Sequence, residues 1–371
     1  STNTFTLTDL YGVAIDTTSF TTFDSGVTTA KIYEVATPYT SAQVNDVRFA
    51  QSADVMYIVH PSHAIRTLSR TDHNAWTFAT PTINENNTPV ITTTDNYPSV
   101  VTFFEQRLVF GASNNNPQTL WFSKSADYLS FHTGTADNDA LIYTIASNKV
   151  NAIRYLSATR ILNIGTSGGE YVLTTTNGGP ITPTQTVIRK YSNYGCIESE
   201  VVQVADVTLF AQRGARKVRE FRYIGEVDVA GYAAPDITIL SEHLTEGGIQ
   251  EFAYQQEPES IVWARRTDGT LLGLTYRREE EIVAWHKHII GGSFGGGQAV
   301  VESIITLPTD SGEDELYMIV KRTINSATKR YVEVMKTFDF GSDTTAAFFV
   351  DSGLAYSGSA TSTLSGLYHL E

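Results

Sequence analysis

Few side chains in this sequence are typed and spaced for chemistry. His60-Pro-Ser-His63 sets two imidazoles three residues apart, yet Pro61 forbids the helix that would align them on one metal, and no third ligand is near in sequence. The pair reads as a loop. His286-Lys-His288 places both imidazoles on one side of a strand, which suits a metal only if partners arrive from elsewhere, and such strand pairs are ordinarily surface residues. Arg277-Arg278-Glu279-Glu280-Glu281 lies between two apolar strands and reads as a hairpin connection whose charges face water. Acid-base work by paired carboxylates would need a pocket, which nothing in the sequence indicates. Gly291-Gly-Ser-Phe-Gly-Gly-Gly297 lacks the Gly-Lys ending and following helix of a phosphate loop, so a flexible loop is expected. Cys196 is the single cysteine, which excludes an intrachain disulfide, and no Cys/His cluster has zinc spacing. The reading is of a protein that is not an enzyme, with no catalytic, metal or cofactor-binding residues and no cofactor.

With 371 residues, 41% apolar and 18% charged, the chain can bury a large core. No stretch approaches the roughly 18 apolar residues of a membrane helix, and the N-terminus lacks a signal-peptide pattern, so no membrane insertion by this segment is expected. The 26 Lys plus Arg stand against 40 Asp plus Glu, a formal charge of −14, which disfavours tight nucleic-acid binding because phosphate affinity comes from clustered cations. The one basic run, Arg213-Gly-Ala-Arg216-Lys217-Val-Arg219, is interleaved like a strand and reads as a solvated strand face rather than a phosphate patch.

The elements that must position these residues are strands. Thr, Val, Ile, Tyr and Phe are abundant, and 27 Gly with 11 Pro punctuate short apolar runs, so the fold class is all-β. A recurrence of about 50 residues underlies the runs. It begins with units opening near Val47 and Ser99, each of four short strands, the second ending in Tyr128-Leu-Ser-Phe131. Weaker copies open near Ala152, Val201, Glu251 and Glu302. A four-stranded sheet cannot bury both faces alone, whereas radial stacking buries them and leaves only short edges. A β-propeller of about six or seven four-stranded blades is therefore expected, in preference to a pair of β-sandwiches, which need no period. Asp268-Gly269 between two apolar strands is a strong hairpin signal. The side chains expected at the blade cores are Phe49, Ile58, Trp76, Phe103, Phe110, Trp121, Phe131, Leu162, Leu209, Trp263, Leu274, Trp285, Ile319 and Val332. Residues 1–40 read as a partial β-module with a lead-in strand, 41–340 as the propeller, and 341–371 as a Gly/Ser/Thr-rich segment leading to a further strand or domain. The chain is expected to be a piece of a longer polypeptide.

Ser69-Arg-Thr-Asp72-His-Asn-Ala-Trp76 and Ser123-Lys-Ser-Ala-Asp127-Tyr-Leu-Ser-Phe131 resemble the Asp-box turn of sialidase-type propellers, where the motif closes the outer hairpin. More extended strings resemble the tail nozzle, or tail tubular B, proteins of short-tailed bacteriophages and their prophage relatives. They include Tyr33-Glu-Val-Ala-Thr-Pro-Tyr39, Val47-Arg-Phe-Ala-Gln-Ser-Ala-Asp-Val-Met-Tyr-Ile-Val-His-Pro61, Leu274-Thr-Tyr-Arg-Arg-Glu279, Val283-Ala-Trp-His286, Val320-Lys-Arg-Thr-Ile-Asn325 and Lys329-Arg-Tyr-Val-Glu333. Asn3-Thr-Phe-Thr-Leu7 is similar to the small β-module that interrupts such proteins upstream. The resemblance implies a virion structural protein that partners itself in a ring, commonly a hexamer, below the portal and adaptor and beside tail fibre proteins. DNA passes through that ring during ejection. Six copies would bring roughly 84 negative charges, and an acidic lumen lets DNA slide without sticking. The alternatives are a carbohydrate-binding or glycan-cleaving propeller at the tail tip and a host-interaction propeller module.

Overall fold

The computed structural model describes residues 34–336, except 73, 74, 87, 88, 148, 177, 227 and 228, and beyond them only Ser342 and Gly353. The expected β-module before residue 34 and nearly all of the Gly/Ser/Thr-rich segment after 340 lie outside the described residues.

Alternating apolar side chains separated by tight turns produce hairpins, and the hairpins form six blades. The first contains β1 (Arg48–Ser52), β2 (Val55–His60), β3 (His63–Asp72) and β4 (Ala75–Ala79). After the two-residue β5 (Asn84–Glu85), the second contains β6 (Val100–Phe104), β7 (Arg107–Gly111) and β8 (Thr119–Phe122). It passes over β9 (Ser130–Phe131) and takes β10 (Leu141–Thr144) as its outer strand. The third holds β11 (Ile153–Ala158), β12 (Leu162–Thr166), β13 (Gly169–Thr175) and β14 (Thr186–Ser192). The fourth holds β15 (Val202–Val204), β16 (Val207–Ala211), β17 (Val218–Glu226) and β18 (Val229–Ala233). After the one-turn helix α1 (Glu242–Thr245), the fifth has β19 (Ile249–Gln255), β20 (Ile261–Arg266), β21 (Leu271–Arg277) and β22 (Ile282–His288). A small hairpin of β23 (Ser293–Phe294) and β24 (Gly297–Gln298) precedes the sixth. That blade has three described strands, β25 (Val300–Pro308), β26 (Asp314–Ile324) and β27 (Ala327–Met335). Pairing within every blade is antiparallel, and the inner strands start within two residues of the openings of the sequence repeat.

One main-chain pattern ties blade to blade. The residue at the start of an inner strand donates its N–H to the turn between the second and third strands of the preceding blade. This occurs as Ile153 to Pro117 (2.9 Å), Ile249 to Ala215 (2.8 Å) and Val301 to Gly269 (2.9 Å), and the connecting Cys196 does the same to Thr166 (3.0 Å). The segments leading into the third, fourth and fifth blades also accept from their own blade's turn: Ser167 to Ala152 (2.9 Å), Arg213 to Gly195 (3.0 Å) and Thr267 to Gly248 (2.9 Å). Buried backbone groups require such partners. All these turns and connections therefore lie on one face of the disc, the connection face.

Apolar cores fill the spaces between blades, as stacked sheets require. Val59 and Ile65 of the first blade meet Phe110 and Trp121 of the second. Val109 and Phe122 meet Leu162 and Leu173. Tyr155 and Val172 meet Phe210 and Phe221. Leu209 and Val218 meet Val262 and Leu274, and Trp263 and Leu271 meet Val301 and Val320. Five cores join six blades, and among the described residues no sixth core joins the last blade to the first. Gly165 is required in the third core: a Cβ there would sit 1.9 Å from the Tyr155 ring. Gly269 takes φ +80° in the turn expected at Asp268-Gly269, and Asp268 Oδ1 accepts from the Thr270 N–H (3.1 Å).

Of the expected core side chains, Ile58, Phe110, Trp121, Phe131, Leu162, Leu209, Trp263 and Leu274 are buried. Phe103 and Trp285 pack half-buried against the cores. Four are corrected. Phe49, Trp76, Ile319 and Val332 are exposed, Val332 to 70%. Phe49 and Trp76 lie on the open face of the first blade, and Ile319 and Val332 on that of the sixth, so no neighbouring blade covers them. Two further corrections concern local structure. Ser130–Phe131 is not the outer strand of its blade but pairs in parallel with Asn84–Glu85, which leaves Phe131 stacked on Phe110 at 5.3 Å. The glycine-rich 291–297 segment is an ordered hairpin, with Gly295 and Gly296 at φ +60° and +84°.

Phe110→Ala should therefore cost about 3–5 kcal/mol of stability. Val332→Ala should fall within about 0.5 kcal/mol of the parent. Denaturation midpoints of the two variants measure the contrast, and equal losses would contradict the assignment of Val332 to an uncovered face.

Candidate functional site

The connection face carries five strongly exposed aliphatic side chains. Val44, Val150, Ile239, Leu240 and Ile289 are 58–91% exposed. Each sits in a segment that enters or leaves a blade, and the strand order puts those segments on the side marked by the main-chain ties. The position of Val44 follows from Gln43, whose Oε1 lies 3.1 Å from His63 Nε2 in the second turn of the first blade. The position of Ile239 and Leu240 follows from Thr245, whose hydroxyl donates to the Arg216 carbonyl (2.6 Å). Single exposed aliphatics are ordinary; several sharing one side of a disc make a surface that association can bury.

Charged groups on the inner strands and the segments leading into them make contacts across blades. Arg48 at the start of β1 donates to the Glu198 carbonyl (Nη2 to O 3.3 Å), and the Glu198 carboxylate pairs with Arg154. Glu251 accepts from Arg265 Nε and from the Ser303 hydroxyl, both at 2.8 Å. Confinement among protein groups raises the pKa of Glu200; Arg48 offsets part of this and Glu251 adds to it.

The sequence motifs resolve into packing. His60 is buried, its ring 4.9 Å from that of His63, and its Nδ1 accepts from the Ser62 N–H (3.0 Å). Burial, with His63 beside it, lowers the His60 pKa. His286 and His288 do share one side of β22, Nδ1 to Nε2 at 2.8 Å, but they pack half-buried against Trp263 rather than standing on the surface. Burial lowers both pKa values, so one neutral ring donates to the other. Among the described residues no cluster of three or more His, Cys, Asp or Glu is placed to hold a metal. Arg278 of the charged hairpin does not simply face water: it reaches back to Glu220 of the fourth blade (3.2 Å).

The basic run is mostly a turn, not a strand, because it spans the connection between β16 and β17. Arg216 pairs with Glu246 (3.3 Å), and Lys217 with Asp236 and Glu242 (both 3.0 Å). Arg219 is buried, lies 3.4 Å over the Tyr194 ring and donates to the Ala234 carbonyl (2.6 Å). Arg213 alone is left to line a cavity on the connection face.

Sequence reasoning missed Glu170. It is fully buried between the third and fourth blades, and the Ser192 hydroxyl donates to it. Burial raises its pKa to about 7, an effect opposed by the backbone N–H groups of Tyr194 and Gly195 and by Arg219 and Lys190. A Gly-Glu-Tyr-Val string inside a strand carries no local sign that the carboxyl points into a core. Cys196 is buried beside it, and burial pushes its thiol pKa well up, so it is not a reactive thiol.

The class defined by this topology is a six-bladed β-propeller. No family model matches the chain, and no curated protein matches it. Among solved structures it is similar to Hsv2 from Kluyveromyces lactis, with TM-score 0.44 and 9% identity over 76% of this chain and 75% of that one. It is also similar to a protein from Lactobacillus plantarum, with TM-score 0.43 and 10% identity over 77% and 78%. The WD40 β-propeller domain of Doa1 gives TM-score 0.40 and 11% identity over 80% and 84%. Likeness of this degree carries no argument about function, and the propeller assignment rests on the sheet order itself.

Glu170 has a higher pKa folded than unfolded, so the folded state holds its proton more tightly. Its contribution is complete below about pH 4.5 and is lost as pH rises through about 7, a decrease of about 3 kcal/mol. Glu170→Gln should remove that loss and raise the urea midpoint at pH 8 relative to the parent, with little gain at pH 4.5. A parent and variant that differ equally at both pH values would show that this carboxyl is not the titrating group.

Proposed function

We propose that this chain is a structural subunit of a short-tailed bacteriophage virion, assembling as a ring, with six copies expected, in the nozzle through which DNA is ejected. The observation that carries the reading is the set of exposed aliphatics on the connection face, Val44, Val150, Ile239, Leu240 and Ile289. A propeller that works alone gains nothing from presenting them to water, whereas contact between copies buries them at roughly 1.5–3 kcal/mol for each large aliphatic side chain. Support also comes from the strings at 33–39, 47–61, 274–279 and 329–333, which resemble tail nozzle proteins. The net charge of −14 fits a conduit wall that repels a duplex. In this reading function rests on shape and charge sign, and the partners are further copies, the portal-adaptor assembly and tail fibre proteins.

Sedimentation and electron microscopy test the ring. The parent should associate in a concentration-dependent way into closed particles with an axial opening. The double variant Ile239→Glu, Leu240→Glu should weaken association by about 100-fold or more while its circular dichroism is unchanged. A parent that stays monomeric both alone and with the portal-adaptor assembly would overturn the proposal.

A further inference from the structure

A cavity of about 720 Å³ opens on the connection face between the second and third blades. Its size is within the range of small-ligand sites. The end of β10 and the connection after it supply Tyr143, Ser147, Lys149 and Asn151; β13 and β14 supply Tyr171 and Lys190; the turn after β16 supplies Arg213. In a chain with 14 more acidic than basic side chains, this cavity is lined by three cations and no carboxylate.

Those cations are not committed elsewhere. The neighbouring basic residues Arg154, Arg216 and Lys217 each hold a carboxylate, whereas Lys149, Lys190 and Arg213 have no ion pair among the described residues and are exposed. The nearby carboxyl of Glu170 is buried and held by Ser192. The remaining lining is amphipathic. Tyr171 forms a buried wall with the Lys190 ammonium 5.7 Å from its ring, Tyr143 is half-buried, and Ser147 and Asn151 offer hydroxyl and amide groups.

We propose that this cavity binds an anionic saccharide, with Lys149, Lys190 and Arg213 facing its carboxylate and Tyr143 and Tyr171 facing its rings. Aromatic rings beside hydroxyl and amide groups suit the alternating apolar and polar faces of a sugar. Unpaired cations select the charged sugar over a neutral one. A nucleic-acid strand fits less well, because its continuous charge would extend beyond the cavity over an acidic protein. The proposal goes beyond the ring reading and does not depend on it, since the lining comes from one chain.

Isothermal titration of the whole chain with a hexuronic acid trisaccharide, the neutral trisaccharide of the same linkage, inorganic phosphate and a short DNA duplex tests the site. The acidic trisaccharide should saturate, bind about tenfold or more tighter than the neutral one, and weaken as salt is raised. Lys149→Gln and Arg213→Gln should each lower its affinity about tenfold with thermal midpoints unchanged, because both side chains are exposed. The saccharide assignment would be overturned if the acidic trisaccharide did not saturate or the variants bound it like the parent. Phosphate or duplex binding as tight as that of the acidic sugar would overturn it equally.

Discussion

The hydrogen bonds that run from the segments opening the third to sixth blades to the turn of the blade before organise the rest of the molecule. A four-stranded sheet with two apolar faces is stable only when neighbours cover both. The seam sets the relation of each blade to the last and gives buried backbone groups their partners, at Ile153, Cys196, Ile249 and Val301 alike. Each turn is thereby held from two sides, by the chain leading into its own blade and by the chain leading into the next. The side chains of adjacent blades then meet in register, as Phe210 and Phe221 do with Tyr155 and Val172.

The antiparallel strand order, marked by this seam, gathers the blade-to-blade connections onto one side. Loops are freest to vary where they do not carry the core, so surface chemistry accumulates there. The aliphatics Ile239 and Leu240 and the basic cavity share that side because both are built from connecting segments. The two readings of the face are compatible: one uses protruding aliphatics and the other a recess between the second and third blades.

Charge is managed locally rather than by overall balance. The basic run is divided among three fates: ion pairing at Arg216 and Lys217, stacking at Arg219, and exposure to a cavity at Arg213. Buried ionisable groups respond differently. Glu170 is shifted toward its neutral form, and His286 and His288 lose the tendency to charge and bond to one another. Desolvation penalises the charged state in each case, which is why these groups read as packing.

Strand-period alternation, the 50-residue recurrence and turn residues such as Asp268-Gly269 were legible in the sequence, because each depends on neighbours along the chain. So were the aromatic anchors Phe110, Trp121 and Trp263, whose blades are flanked on both sides. Phe49, Trp76, Ile319 and Val332 have the same local pattern yet stand exposed, because alternation assigns a side chain to a face without saying whether another sheet covers it. The cavity of Tyr143, Lys149, Tyr171, Lys190 and Arg213 draws on three blades, and the environment of Glu170 includes residues distant along the chain, such as Cys196 and Arg219. Sequence settled what each strand could be. Only the packing of one blade on the next decided which groups lost water, and that loss sets both burial and pKa.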